Sequence, residues 1–256
     1  MTENLFDLTG KLAFVTGSSR GLGNALARGL ASAGANLVLH GRGGAMLDEA
    51  RREIAEASGV EVGTVAFDVT DAAAVKDGVA ALVASHGVPD ILVNNAGIQR
   101  RAPFNDFEPK DWDDVVATNL SSAFYVSQQI SRGMAERRSG KIINIGSVQA
   151  MLARQTIAPY SASKGGLVML TKGMAADLAR FNIQINAISP GYFATEMNRD
   201  LWTDEAFDSW VVNRTPAQRW GKVEELVGTL VYLSSAASGF VSGQNIFVDG
   251  GMTSVV

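Results

Sequence analysis

Three side chains in the middle of the sequence could carry out acid–base chemistry together. Ser147 follows an apolar run, Tyr160 lies directly after Pro159, and Lys164 stands four residues after Tyr160. Residues four apart share one face of a helix, so the phenol and the ammonium should be neighbours. A tyrosine has a pKa of about 10, and a nearby ammonium lowers that pKa by stabilising the phenolate. The set favours interconversion of an alcohol and a carbonyl, although a solvated Tyr–Lys pair would have the same spacing.

A glycine-rich turn near the amino terminus is predicted to bind a phosphate group. It follows an apolar run and opens a helical pattern, and its residues are Gly17, Ser19, Arg20, Gly21, Leu22 and Gly23. A helix N-terminus attracts anions, and glycine lets the backbone approach a dinucleotide pyrophosphate closely. The spacing is GxxxGxG rather than GxGxxG, and glycines also form ordinary turns. The prediction of phosphate binding therefore rests on the position of this turn between a strand and a helix.

The end of the second apolar run indicates which dinucleotide is bound. NAD sites place a carboxylate roughly 20 residues past the glycine turn, where it binds the ribose 2′-hydroxyl. This sequence instead has His40-Gly41-Arg42, and Arg42 could pair with a 2′-phosphate, helped by Arg20. NADP is therefore favoured, with NAD possible, while a solvated loop arginine is the alternative. His40 is expected to be a packing or surface residue.

Two more segments that follow apolar runs are expected to line the cofactor site. Asp68 and Val69 follow the third run, where the carboxylate could accept a hydrogen bond from adenine or cap the next helix. Small and amide side chains that would admit a ribose follow the fourth run, at Asn95, Ala96 and Gly97. The alternative for this second segment is a simple turn.

The elements that must position these residues are strands alternating with helices. The predicted strands are Leu12–Thr16, Leu37–Leu39, Val62–Phe67, Ile91–Val93, Lys141–Ile145, Ile183–Ile188 and Ile246–Val248. Apolar strands joined by helix-length connections imply a parallel sheet with helices on both faces. The predicted fold class is α/β, a single-domain Rossmann fold over residues 1–256 with a doubly wound, seven-stranded sheet. The stretch 192–223 is longer than a crossover needs and is a candidate lid over the site.

A long helical pattern from about Lys110 to Arg138 contains Asn119. Asparagine is a poor helix former. We expect a local distortion there whose freed carbonyl holds a water molecule, or else an exposed helix residue.

Composition and charge exclude several classes of protein. The chain has 256 residues, no cysteine and a net charge of −4. Disulfides, thiolate catalysis and cysteine-ligated metals are excluded, and no metal site is expected. No basic block marks a nucleic-acid partner, and no apolar run resembles a signal peptide or a membrane span. The expectation is a cytoplasmic protein without nucleic-acid or membrane partners.

Together these motifs resemble the short-chain dehydrogenase/reductase family over nearly the whole chain. The resemblance implies that Tyr160 is the acid/base, that Lys164 lowers its pKa and binds the nicotinamide ribose, and that Ser147 orients the substrate oxygen. It implies that Asn119 supports a proton relay through water. Residues that would surround the nicotinamide are Pro190, Gly191, Phe193 and Thr195. It also implies a homotetramer.

A narrower resemblance, to the gluconate 5-dehydrogenases of that family, is carried by Asn94–Arg101, Ser147–Gln149, Pro190–Met197 and Arg214–Pro216. It implies NADP-dependent interconversion of D-gluconate and 5-keto-D-gluconate. A sugar acid carries a carboxylate that arginine could bind. The candidates are Arg101 first, then Arg100 and Arg154, each of which could instead be a rim arginine, and Gln149 is a further substrate-binding candidate.

Three alternatives stay open at this point. Two are enzymes, a 3-ketoacyl-carrier-protein reductase or another sugar or carbonyl reductase with the same cofactor. The third is a non-catalytic dinucleotide-binding regulator, against which the intact set of Ser147, Tyr160 and Lys164 argues.

Overall fold

Seven short strands, most of them continuous apolar runs, form one parallel sheet. Such runs are typical of strands that are buried on both faces. The computed structural model describes residues 4–195 and 199–256. The strands are β1 (Leu12–Val15), β2 (Asn36–Gly41), β3 (Val62–Ala66), β4 (Ile91–Asn94), β5 (Gly140–Ile145), β6 (Ile183–Pro190) and β7 (Asn245–Val248). Their order is β3-β2-β1-β4-β5-β6-β7, and each neighbouring pair is parallel. The predicted α/β, doubly wound sheet is confirmed.

The order of the strands creates a crevice at one edge of the sheet. The chain runs outward from β1 to β3 and then returns to place β4 on the other side of β1. In such sheets ligands bind at this switch point, beyond the carboxyl ends of the strands. The glycine-rich turn follows β1, Asn95 follows β4, and Ser147 follows β5, so the topology brings the candidate residues to one edge.

Helices cover both faces of the sheet. The helices are α1 (Gly21–Ser32), α2 (Ala45–Ser58), α3 (Ala72–His86), α4 (Pro109–Val116), α5 (Ser122–Arg137), α6 (Ala158–Leu178), α7 (Arg199–Trp202), α8 (Glu205–Arg214) and α9 (Val227–Ser234). On one face Leu30 of α1 and Leu230 of α9 share a buried cluster with Val15 of β1. On the other face, Val79 of α3 and Ile130 of α5 pack with Phe14 of β1.

The helix predicted from about Lys110 to Arg138 is not continuous. A π-helical turn, Ala117–Ser121, separates α4 from α5, and it contains Asn119. The expected distortion is therefore confirmed. Because Asn119 is 2% exposed, the alternative of an exposed helix residue is wrong. Single π turns inside helices occur frequently at functional sites.

The long segment between β6 and α9 carries α7 and α8. A bridge between Phe193 and Gly221 pairs the two ends of the segment beside the sheet. Glu196 and Met197, part of the sequence motif used above, lie outside the described residues. In the described ranges, no helix is long and apolar enough to cross a membrane, and no cluster of three metal-binding side chains occurs.

Candidate active site

Ser147, Tyr160 and Lys164 meet at the carboxyl edge of the sheet. Helix α6 begins at Ala158 with Pro159 in its first turn, where the missing N–H of proline is tolerated. This start places Tyr160 and Lys164 one turn apart, with the Lys164 Nζ 5.7 Å from the centre of the Tyr160 ring. The Ser147 side chain hydrogen-bonds the Tyr160 phenol. The expected proximity of the three residues is therefore present.

Lys164 is held deep in this site. Its side chain is only 4% exposed, and its Nζ donates a hydrogen bond to the Ile145 carbonyl oxygen at 2.6 Å. Burial disfavours the ammonium and lowers the pKa of Lys164 to about 8. The fold therefore keeps a positive charge at a position where burial lowers its stability.

The pKa of Tyr160 moves in the opposite direction from the sequence-based expectation. Burial raises this pKa, the hydrogen bond from Ser147 opposes the rise, and the nearby Tyr192 adds to it. Burial of the phenolate is the largest cause of the shift, and the Lys164 ammonium bonds a backbone carbonyl. The net shift in the protein alone is therefore a rise, and a lowering of the Tyr160 pKa by Lys164 stays a prediction.

Asn119 connects the π turn to the loop after β4 and to α6. Its Nδ2 donates to the Ile98 carbonyl at 2.9 Å and to the Ser163 hydroxyl at 3.1 Å, while its Oδ1 accepts from the Ile98 N–H at 2.8 Å. Two of these bonds fix the loop after β4 at Ile98, and the third joins the π turn to α6 one residue before Lys164. The water relay expected at the π turn stays a prediction.

The glycine-rich turn has the conformation that close phosphate approach requires. Gly17 and Gly21 have φ values of +64° and +58°, a region that favours glycine. A Cβ on Gly23 would collide with the Gly17 carbonyl oxygen. Arg20 precedes α1, and its side chain does not cap the helix. The turn thus fits a pyrophosphate bound on backbone N–H groups.

The loop after β4 is fastened to this turn. The Thr16 hydroxyl accepts hydrogen bonds from the N–H groups of Asn95 and Ala96 at 3.0 and 3.1 Å. The Asn95 Nδ2 donates to the carbonyls of Thr16 and Gly17 at 3.0 and 3.1 Å. A Cβ on Gly97 would press on the Asn119 Oδ1 at 3.3 Å. Asn95, Ala96 and Gly97 therefore lie where a cofactor bound to the turn would continue.

Arg42 lies exposed at the end of β2, close enough to Asp68 to lower the pKa of that carboxyl. The larger causes of this lowering are hydrogen bonds from the N–H and hydroxyl of Thr70. Asp68 does not cap α3, because Asp71 accepts from the N–H groups of the first turn. The capping alternative for Asp68 is therefore wrong, and the buried Val69 follows it at the same edge.

His40 is a packing residue, as expected. It is 3% exposed and its ring lies 4.3 Å from that of Phe67. Its Nδ1 accepts from the Gly17 N–H at 3.2 Å. Burial lowers the pKa of His40 to about 4, so the ring is neutral and supports the glycine-rich turn.

The residues expected around the nicotinamide follow β6. Pro190 ends that strand, and a Cβ on Gly191 would come within 2.8 Å of the Asp249 Cα. Phe193 is buried, and the Thr195 carbonyl accepts from the Trp202 indole at 3.1 Å.

Two further residues of the glycine-rich turn have separate surroundings. Ser19 lies beside Gly41, and Leu22 packs on the core.

The three candidate arginines have different surroundings. Arg100 pairs with Asp111 at 3.3 Å, which favours its reading as a rim residue. Within the described ranges, Arg101 and Arg154 form no ion pair with an acid. Burial lowers the pKa of Arg101, and the charge of Arg154 lowers it further, so the two guanidiniums are neighbours. Such a pair could bind a carboxylate.

In the part of the chain that the structure describes, two buried atoms in or near this pair have no hydrogen-bond partner, the Nε of Arg154 and the Oε1 of Gln149. Gln149 is 8% exposed, and its N–H donates to the Ser147 hydroxyl at 3.2 Å. Buried polar atoms normally have partners, so these two atoms are candidates for contact with a bound molecule. Arg154 also lies over the Phe207 ring, with its guanidinium carbon 5.0 Å from the ring centre.

Tyr192 belongs to the site, and the sequence reasoning did not single it out. Its phenol interacts electrostatically with Tyr160, Arg154 and Arg101. The available signal was its position directly after Pro190-Gly191, at the same sheet edge as Ser147.

One family model matches most of the chain. Its description is enoyl-(acyl carrier protein) reductase, and it matches residues 17–253.

Two relatives are similar over almost their full length. A gluconate 5-dehydrogenase of Gluconobacter oxydans (strain 621H) is 56% identical over 250 residues, which are 98% of this chain and 97% of that protein. A 5-keto-D-gluconate 5-reductase of Escherichia coli (strain K12) is 47% identical over 254 residues, 98% of each chain.

A solved structure agrees with the fold. The gluconate 5-dehydrogenase from Burkholderia cenocepacia J2315, crystallised in complex with NADP and tartrate, superposes with a TM-score of 0.96 at 52% identity and covers 98% of each chain.

Proposed function

We propose that this chain, which belongs to the short-chain dehydrogenase/reductase family, interconverts D-gluconate and 5-keto-D-gluconate with NADP. It is an NAD(P)-dependent oxidoreductase that acts on a CH–OH group. One observation carries the choice of substrate: Arg101 and Arg154, which pair with no acid among the described residues, interact with Tyr192, which in turn interacts with Tyr160. The names of relatives at 56% and 47% identity support the same substrate pair.

The residues of the chain supply positioning and proton transfer. In oxidation, Tyr160 as phenolate removes the proton of the C5 hydroxyl while Ser147 holds the oxygen that becomes the carbonyl. The hydrogen on C5 leaves with its electron pair as a hydride, for which NADP supplies the acceptor when it is bound. In reduction, Tyr160 as phenol returns the proton to that oxygen. Lys164 would bind the nicotinamide ribose, and Asn119 would hold a relay water at the π turn.

The raised pKa of Tyr160 has a consequence for direction. A buried phenol keeps its proton at neutral pH, and a protonated phenol is the acid that reduction of 5-keto-D-gluconate requires. Oxidation of D-gluconate requires the phenolate, so it should gain as the pH rises. At neutral pH the protein alone therefore holds Tyr160 in the protonation state that reduction uses.

The cofactor site is proposed on the backbone of the glycine-rich turn. The positive φ angles of Gly17 and Gly21 and the close packing of Gly23 on the Gly17 carbonyl shape this turn, to which Ser19 and Leu22 also belong. Further proposed contacts come from Asp68, Val69, Asn95, Ala96, Gly97, Pro190, Gly191, Phe193 and Thr195.

Exposed Arg42 and Arg20 stand where a 2′-phosphate could pair with them. A relative in complex with NADP supports this cofactor, with NAD as a poorer substitute.

The substrate carboxylate is assigned to Arg101 and Arg154. Arg100 is the weaker candidate because it already pairs with Asp111. The relative that was crystallised with tartrate, a hydroxy acid with two carboxylates, supports an acidic substrate. Gln149 would contact a hydroxyl of the same molecule.

Two alternatives are less favoured. A 3-ketoacyl thioester carries no carboxylate at the position of the arginine pair, and both relatives named above act on sugar acids by their names. A regulator that only binds a dinucleotide has no need for the hydrogen bond between Ser147 and Tyr160.

The proposal extends to assembly, location and the segment 192–223. Helices α4, α5 and α6 expose large apolar side chains, Trp112 (47%), Phe124 (43%) and Met169 (63%). Burial of this surface between copies would support a homotetramer, which light scattering can measure. We place the enzyme in the cytoplasm and give the segment 192–223 the role of a substrate lid.

The test is the initial rate of NADPH formation with D-gluconate, run in parallel with NAD, and of NADPH consumption with 5-keto-D-gluconate. We expect turnover in both directions and a preference for NADP. Turnover of a ketoacyl thioester without turnover of either sugar acid would overturn the substrate and leave the family unchanged.

A further inference from the structure

The ring of Tyr192 is held in place by three aromatic side chains of the segment 192–223. Its centre lies 5.8 Å from that of Phe207, 5.7 Å from that of Trp210 and 5.6 Å from that of Trp220, each in an edge-on arrangement. Edge-on aromatic pairs at such distances are favourable. The Trp220 indole donates to Asp208 at 2.8 Å, which fixes the cluster. Tyr192 therefore presents its phenol from a rigid support.

The phenol lies near both the reacting group and the arginine pair. Arg154 lies over the Phe207 ring at 5.0 Å, and the centre of that ring is 5.8 Å from the centre of the Tyr192 ring. Tyr192 also interacts electrostatically with Tyr160, and Arg154 and Arg101 oppose the rise in its pKa that burial causes. A substrate that extends from Tyr160 to the arginines can therefore contact this phenol.

Gln149 completes a matched pair of hydrogen-bonding groups. Its side chain lies within hydrogen-bonding reach of the Tyr192 phenol and lowers the pKa of that phenol, as an amide N–H directed at the phenol oxygen would. The amide Oε1 is buried without a partner. The phenol proton is then available as a donor and the Oε1 as an acceptor. A hydroxyl group donates one hydrogen bond and accepts others, so it satisfies both.

We infer that Tyr192 and Gln149 form a hydroxyl-binding subsite that recognises the substrate carbon next to the reacting one, on the side of the carboxylate. This inference rests on the proposed function. In D-gluconate the carbon concerned is C4, since C5 reacts and the carboxylate is C1. The substrate class that fits is a polyhydroxy acid with a hydroxyl beside the reacting carbon. Simple ketones and deoxy acids leave the Oε1 of Gln149 unpaired.

The test compares 5-keto-D-gluconate with its 4-deoxy analogue in the NADPH-dependent reduction. In the wild-type enzyme, kcat/KM should be about tenfold or more higher for the hydroxylated substrate, because the analogue leaves a buried acceptor unpaired. Tyr192→Phe should lower kcat/KM for 5-keto-D-gluconate by about tenfold and leave that for the analogue within about twofold. Gln149→Leu should change kcat/KM for the two substrates in the same way. The double variant should lower kcat/KM for 5-keto-D-gluconate little further than either single variant does.

A matched control is Tyr232→Phe, which removes a phenol from the partly buried Tyr232 of α9, on the core beside α1. This control variant should leave kcat/KM unchanged for both substrates. If Tyr192→Phe lowers kcat/KM for both substrates equally, or for neither, the subsite is wrong while the proposed function stands. If the wild-type enzyme reduces no sugar acid, the proposed function fails and the subsite fails with it.

Discussion

Replacement of Lys164 by methionine separates what this residue does for stability from what it does for catalysis. The side chain is 4% exposed, and burial lowers its pKa from 10.5 to about 8. A tenfold change in proton affinity corresponds to about 1.4 kcal/mol. Keeping the ammonium in the folded protein therefore costs about 3 kcal/mol relative to the unfolded chain at neutral pH.

The sign of the pH dependence follows from this lowered pKa. Below about pH 8, Lys164 is protonated in both states, and the full cost is present. Between about pH 8 and 10.5 the folded protein has released the proton while the unfolded chain keeps it. The unfolded state then binds more protons, so stability rises with pH. By about pH 9.5 this effect should raise the free energy of unfolding by about 2 kcal/mol relative to neutral pH.

The assay is urea unfolding of the wild-type protein and Lys164→Met at about pH 7 and pH 9.5. The free energy of unfolding of the wild type, minus that of the variant, should be about 2 kcal/mol larger at the higher pH. Lys141, whose pKa burial also lowers to about 8, is present in both proteins and cancels. NADPH-dependent reduction by the variant should fall by about 100-fold or more.

The control for this experiment is Lys172→Met, which removes an exposed lysine from the same helix. It accounts for the general effect of deleting one positive charge. The reasoning is refuted if the difference between wild type and Lys164→Met stays constant with pH, or falls. That result would mean that the Ile145 carbonyl compensates the ammonium fully.

Three further predictions concern the proposed catalytic and cofactor residues. Tyr160→Phe should lower turnover by at least about 100-fold while NADPH affinity, measured by fluorescence titration, stays within about threefold; turnover close to wild type would reject Tyr160 as the acid/base. Arg42→Ala should raise KM for NADP by about tenfold and leave KM for NAD nearly unchanged, and an equal change for both would reject the 2′-phosphate contact. Gly23→Ala should weaken binding of both dinucleotides, because the added Cβ meets the Gly17 carbonyl, and calorimetry with NADP and NAD would show unchanged affinity if this packing argument is wrong.

Much of the fold follows from the sequence because the strands are buried on both faces. A buried strand such as β1 is apolar at each position, and Leu12–Val15 is visible without any partner. The ends of β2 were harder to predict: Asn36 and Gly41 belong to the strand but carry no apolar signal. Backbone pairing with β1 and β3 decides them, and such pairing cannot be seen in a local pattern.

The π turn at Asn119 shows a different limit. Apolar residues on both sides keep a helical period, so the pattern predicts one continuous helix. The only local sign was the asparagine itself. Its bonds to Ile98 and Ser163 join residues 21 and 44 positions away. The distortion is therefore stabilised by tertiary contacts that a local reading does not contain.

Among the arginines, the sequence gave three candidates, with Arg101 placed first, but no contacts that separate them. Arg100 and Arg101 are adjacent, yet Arg100 reaches Asp111 on α4 while Arg101 lies near Arg154. The difference arises because adjacent side chains point in different directions, and only the packed loop decides where each one goes. Tyr192 was missed because its contacts also depend on packing. Its partners Phe207, Trp210 and Trp220 lie 15 to 28 residues further along the chain, in a segment without strand periodicity.

The spacing of Tyr160 and Lys164 predicted that they are neighbours, but not the sign of the pKa change. That sign depends on the balance between an attractive charge and the loss of water around the phenolate. Here Lys164 itself is buried and bonds the Ile145 carbonyl, so its own pKa falls while that of Tyr160 rises. Both shifts favour the neutral forms of a phenol and an amine. A bound dinucleotide whose oxidised ring is cationic would favour the phenolate by the same electrostatic rule. The proton of Tyr160 should therefore be released more easily with NADP bound than without it, which couples the acid/base residue to the cofactor it serves.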